Sequence, residues 1–126
     1  MNTLQRRFLA LALTMAGCVG GVTAKAANIV GLNYDAQSDS LVIQIVYRGT
    51  HPDHQFSIEW AQCRQFDRGA QILGLLVDSD PKDPAREDFS KVLTISLAQQ
   101  ACRPAQVTIK TDAGFWRSVD VPAPRR

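Results

Sequence analysis

The sequence predicts an all-β domain: an antiparallel β-sandwich of about seven strands, immunoglobulin-like in architecture, with room for one short helix. Three observations predict it. Apolar residues recur at every second position over most of the chain beyond residue 28. Clusters of Asp, Ser, Gly and Pro separate these runs at short intervals. Only about 100 residues follow the first 26, enough for one core, and two cysteines among them can staple it.

The elements follow in order. Ile29 to Tyr34 reads as a first strand, closed by the turn Asp35-Ala36-Gln37-Ser38-Asp39. Leu41, Ile43, Ile45 and Tyr47 then share one face. Gln44 and Arg48 take the other, with Val42 and Val46 half covered. After the turn residues Arg48-Gly49-Thr50-His51-Pro52-Asp53, the residues Phe56, Ile58 and Trp60 alternate with Gln55, Ser57 and Glu59. Ile72 to Val77 is apolar without a break, which suits a central strand covered on both faces or a short buried helix. Asp83 can cap a helix with Pro84 at its first position, two turns long and ending by Ser90. Leu93, Ile95 and Leu97 alternate with Thr94 and Ser96, and Val107 and Ile109 with Thr108 and Lys110. Thr111-Asp112-Ala113-Gly114 predicts a hairpin into Phe115 to Val121, where Phe115, Val119 and Val121 face inward and Trp116, Ser118 and Asp120 outward. The end, Pro122-Ala123-Pro124-Arg125-Arg126, is linker-like. The immunoglobulin sequence signature is missing, because Trp60 lies three residues before Cys63 rather than midway between the cysteines. The prediction therefore covers the architecture and not that strand order.

The amino terminus speaks of destination. Arg6 and Arg7 precede the run Phe8 to Ala16, and Ala24-Lys25-Ala26 offers small residues where a signal peptidase reads. Residues 1–26 are expected to be a signal peptide and 27–126 a single sandwich domain, periplasmic or secreted. Met15-Ala16-Gly17-Cys18 supports the second reading, a lipobox: Cys18 lipidated and the protein an outer-membrane lipoprotein, the one route by which a membrane becomes a partner. Of the 14 basic residues, Arg6, Arg7 and Lys25 precede residue 27, leaving 11 against 12 acidic ones. No basic stripe remains to neutralise phosphates, which argues against nucleic acid. Both routes leave Cys63 and Cys102, which in an oxidising compartment have a single intramolecular pairing. A redox or metal pair is the alternative, disfavoured by the lack of a CxxC spacing.

His51-Pro52-Asp53-His54 holds both histidines and a carboxylate within four residues. Imidazole and carboxylate suit Zn²⁺ or Cu²⁺, with Glu59 or another acidic residue completing the set. The simpler reading is a Pro-Asp turn with polar histidines and no cofactor. Ser57 nearby does not make a triad, since such groups converge from separated segments, and no Gly-x-Ser-x-Gly is present. Asp78-Ser79-Asp80-Pro81-Lys82-Asp83 fails the EF-hand pattern, with Lys82 at the fifth position and Asp83 where Gly is required, and is expected to be a solvated loop. Trp60 belongs with the core face. Trp116 with Arg117 is the better exposed contact surface.

The stretch Tyr47-Arg48-Gly49-Thr50-His51-Pro52-Asp53-His54, followed by Phe56, Ile58, Trp60 and Cys63 and by Cys102-Arg103-Pro104-Ala105, resembles small exported proteins of proteobacteria without an assigned activity. The resemblance implies a secreted, disulfide-linked β-domain and brings no catalytic residues. The expected function is a non-catalytic binding or accessory module of the envelope, partnered by an envelope protein or ligand. A small periplasmic metal-binding protein is the first alternative and a hydrolase-type enzyme the second.

Overall fold

The computed structural model describes residues 27–124. The expectations placed on the signal segment, on Cys18 and on Arg125-Arg126 lie outside the described residues.

Eight strands form two sheets: β1 (Asn28–Asp35), β2 (Ser40–Gly49), β3 (Phe56–Trp60), β4 (Arg64–Phe66), β5 (Gly69–Asp78), β6 (Glu87–Ser96), β7 (Ala105–Lys110) and β8 (Trp116–Val121). The smaller sheet has the order β1-β2-β6. The larger runs β3-β5-β7-β8, with β4 also paired to β5. The inward residues of both sheets close one core. Ile29, Leu41, Ile43, Ile45 and Tyr47 come from the smaller sheet, and Phe56, Ile72, Leu76, Val107, Ile109 and Val121 from the larger. The alternation read from the sequence is the alternation of burial: along β7, Ala105, Val107 and Ile109 are buried while Gln106 and Lys110 are exposed.

The all-β sandwich is as expected, with an additional strand and one change of direction. The additional strand, β4, folds back on β5 through Asp67-Arg68, and Gly69 supplies the positive φ of 124° that this tight connection uses. The change of direction is β5–β7, which pair parallel with Ile72 beside Val107, while every other pairing is antiparallel. The predicted hairpin at Thr111–Gly114 forms, with Gly114 at φ 90°.

Three expectations are corrected. No helix exists among the described residues, and Asp83 caps nothing; its carboxylate is drawn instead to Thr50 and His54. Ile72–Val77 is a strand, but its outer face is only partly covered, Leu73 being 45% exposed and Leu75 and Val77 half-buried. Phe115 is 48% exposed rather than inward, because it sits in the hairpin turn, its carbonyl accepting from Thr111 N, before β8 begins. Trp60 is partly buried against the core, as expected. Cys63 and Cys102 form the expected disulfide, with Cα atoms 6.3 Å apart.

Candidate metal site at the crossover end

The chain passes between the sheets twice at the same end of the sandwich. From Gly49, the last residue of β2, it crosses to Phe56, the first of β3. From Asp78, the last of β5, it crosses back to Glu87, the first of β6. Pairing of Gly49 with Glu87 and of Phe56 with Asp78 holds the four strand ends together and lays the two crossings side by side. Backbone contacts lock them: Ser79 N donates to Gln55 O at 2.8 Å, and Gln55 N to Ser79 Oγ at 2.9 Å.

His54 lies between the two crossings and is 1% exposed. Its Nδ1 faces both oxygens of Asp78 at 2.8–2.9 Å, and its Nε2 faces Asp83 Oδ2 at 2.8 Å. A carboxylate at each nitrogen favours the doubly protonated ring, which donates from both. Burial acts to lower its pKa, but the hydrogen bonds and charges of Asp83 and Asp78 together outweigh burial and raise it. Asp83 is itself nearly buried and held well below the usual carboxylate range. Thr50 Oγ1 is the largest cause, followed by His54 and the Thr50 amide. Those Thr50 bonds measure 2.6 and 2.7 Å. Tyr47 packs its ring 4.7 Å from that of His54, and its hydroxyl donates to Pro52 O. Lys91 Nζ donates to His54 O at 2.7 Å.

His51 approaches from the solvent side. Its Nε2 is 3.0 Å from Asp80 Oδ2 and 3.7 Å from Asp83 Oδ2, and its ring lies 4.8 Å from that of His54. Its Nδ1 accepts from Asp53 N at 3.1 Å. The result is a cluster of His51, His54, Asp80 and Asp83 whose donor atoms all lie within 4.8 Å of one another.

Both predicted histidines converge, and the predicted carboxylate is replaced. Asp53 joins only through its backbone and its side chain is exposed; Glu59 is exposed on β3, away from the crossings. The carboxylates come from 78–83, the segment expected to be a solvated loop. Its Asp78-x-Asp80-x-x-Asp83 spacing was visible, but the register that sets Asp78 beside Phe56 was not. Ser57 points outward in register with Val77 and takes no part. On β8, Trp116 is 63% exposed as expected, while Arg117 Nε donates to Ile29 O and ties β8 to β1.

Two imidazoles and two carboxylates are a donor set for borderline divalent ions such as Zn²⁺ or Cu²⁺, and the absence of sulfur from it disfavours Cu⁺. Asp78 on His54 Nδ1 is the carboxylate–histidine pairing that orients a ligating imidazole and raises its basicity, leaving Nε2 to face the ion. The three carboxylates Asp78, Asp80 and Asp83 surround one imidazolium, so the cluster carries excess negative charge that a dication would neutralise. Comparison with protein-family models, with curated proteins and with solved structures finds no match, so no relative supplies a role for these residues.

Proposed function

We propose that the chain is an exported, non-catalytic module of the bacterial envelope, periplasmic, secreted or lipid-anchored through Cys18, and that its ligand is Zn²⁺ or Cu²⁺. His51 and His54 hold the ion through Nε2 and Asp80 and Asp83 through carboxylate oxygens, while Asp78 orients His54. The single observation that carries this is the gathering of four ligating atoms from two separate crossings within 4.8 Å. The disulfide supports an oxidising location. The non-catalytic part is supported by His54, whose two nitrogens are both engaged and which is closed off from solvent, where a general base needs a free one.

Calorimetry on protein purified with its disulfide intact tests this. A one-to-one complex of micromolar affinity or tighter, about −8 kcal/mol, is expected for at least one of the two metals. His51→Ala and Asp80→Asn, both on the solvent side, should each weaken it tenfold or more. Titrations showing no saturable site with either ion would sink the proposal.

A second reading is favoured by one observation: each ring nitrogen of His54 already has a carboxylate partner. On that reading the cluster is an ionic latch closing the crossovers. Both readings share the same apo structure, and metal titration separates them.

A further inference from the structure

The continuous apolar run Ile72 to Val77 has the composition of a strand covered on both faces, yet only Ile72, Gly74 and Leu76 face the core. Leu73, Leu75 and Val77 point outward from the middle of the larger sheet. The residues around them follow from register. One row crosses the outer face as Glu59, Leu75, Lys110 and Trp116. A second row, four residues away along β5, crosses as Arg64, Gln71, Gln106 and Asp120. Leu73 lies between the rows, beside Thr108 and Ser118, whose hydroxyls bond each other at 2.6 Å.

The charges on this face alternate around the apolar centre. Glu59 and Arg64 stand on the β3/β4 side, Lys110 and Asp120 on the β7/β8 side, so each neighbour around the rectangle has the opposite sign. None of the four takes part in an ion pair among the described residues. A two-fold axis lying in the face along the strands brings Glu59 toward Lys110 of a second copy. Placed along β5, that axis pairs Glu59 with Lys110 in both directions while laying Leu73 and Leu75 on their counterparts, which is the self-complementarity an isologous interface requires.

We propose that this outer face pairs two copies of the chain, with Leu73 and Leu75 as the apolar contact and the reciprocal Glu59–Lys110 pairs as its charged flanks. The face spans about 20 Å along β5 and about 14 Å across four strands, smaller than a standard stable interface. The dimer is therefore weak and concentration-dependent, with Kd of the order of 100 μM. It stands apart from the crossover site and does not depend on metal.

Sedimentation equilibrium of the disulfide-bonded protein up to about 1 mM tests it. The expected result is a reversible monomer–dimer equilibrium. Leu73→Asp should weaken it tenfold or more. Glu59→Lys alone and Lys110→Glu alone should each weaken it severalfold, and the two together in one chain should restore it, since the swap re-creates the opposite pairing. These charge changes are on exposed positions and keep the test valid if Leu73→Asp does not fold. A strictly monomeric protein over the whole range overturns the proposal. So does a dimer indifferent to Leu73→Asp and to the charge swaps, which would place the contact elsewhere, such as on the edge strand β6.

Discussion

The two ends of the sandwich each bury one cation among carboxylate and carbonyl oxygens, and the two cations differ in one respect. At the crossover end it is His54, between Asp78 and Asp83. At the far end it is Arg103, whose side chain is 1% exposed. Its two Nη atoms donate to Asp39 at 2.9 and 2.6 Å, Nη1 also to Leu97 O, and Nε to Pro122 O. Asp39 raises the guanidinium pKa further against the opposing effect of burial. That charge cannot leave under any physiological condition, so the far end is a permanent strut binding the β1–β2 turn, the segment after β6 and the chain after β8. The His54 charge is a proton, and a proton can be exchanged for a metal ion or lost. The same design, a buried cation held by carboxylates, is fixed where the cation is guanidinium and exchangeable where it is imidazolium.

Breaking the strut should cost most and leave the crossover site alone. Cys102 adjoins Arg103 and closes a loop over 39 positions to Cys63. Replacing both cysteines by Ser should lower unfolding free energy by about 3–4 kcal/mol in urea denaturation. Arg103→Ala removes a buried charge, strands Pro122 O and leaves Leu97 O with only the Gln100 amide. With Asp39 a third exposed, a loss of about 2–4 kcal/mol is expected, constant between pH 5 and 8. Metal affinity should be unchanged in both; a severalfold drop would show that the two ends are coupled.

His54→Ala should behave differently because its cost depends on pH. The folded-state pKa of His54 is raised, so its contribution is fully present below the unfolded value of about 6.5 and is lost as pH rises through the folded value. Asp83 is lowered, so its contribution is present above about 3.9 and lost as pH falls through the folded value. The crossover end is therefore strongest between those unfolded values. His54→Ala should destabilise by about 2–3 kcal/mol at pH 6 and by less as pH rises toward 9. A cost independent of pH would show that folding does not shift the His54 pKa, and a cost that grows with pH would show that His54 is buried neutral.

How much of this was legible follows from what each feature depends on. The strands were legible because alternation such as Phe56, Ile58 and Trp60 is a local consequence of one buried face. The disulfide was legible by parity. The helix expected from Asp83 was wrong because capping residues are equally good acceptors for any nearby donor, and Thr50, 33 positions away, supplied two. The site was half legible: the histidines were visible as a cluster, but Asp80 and Asp83 reach them only through the crossing of two loops. Arg103 drew notice only as part of a resemblance, since nothing local marks an arginine whose partner is 64 positions away.

Gly49 tests how tightly the exchangeable end is built. A Cβ there would lie 2.5 Å from Asp83 Oδ2 and 2.9 Å from His54 Nε2. Gly49→Ala must force the buried carboxylate and imidazole apart. A loss of about 1–2 kcal/mol and a tenfold or greater fall in metal affinity are expected. Unaltered affinity would mean that the ion does not sit between these two residues.

The smallest effect sharpens the comparison inside the site itself. Asp53, exposed, and Asp80, half-buried, both lie beside His51, and local spacing favours Asp53, which lies between the two histidines. The fold favours Asp80, whose carboxylate is 3.0 Å from His51 Nε2, whereas Asp53 meets that ring only through its backbone amide. Asp53→Ala keeps the amide and removes a carboxylate that bonds nothing among the described residues, so stability should stay within about 0.5 kcal/mol and metal affinity within twofold. Asp80→Ala should cost tenfold or more in affinity with little change in stability. Titrating both variants with the same metal decides between spacing along the chain and convergence in the fold. If Asp53→Ala proves the more damaging, the ion is held by the 51–54 turn alone and the crossing at 79–86 is not part of its site.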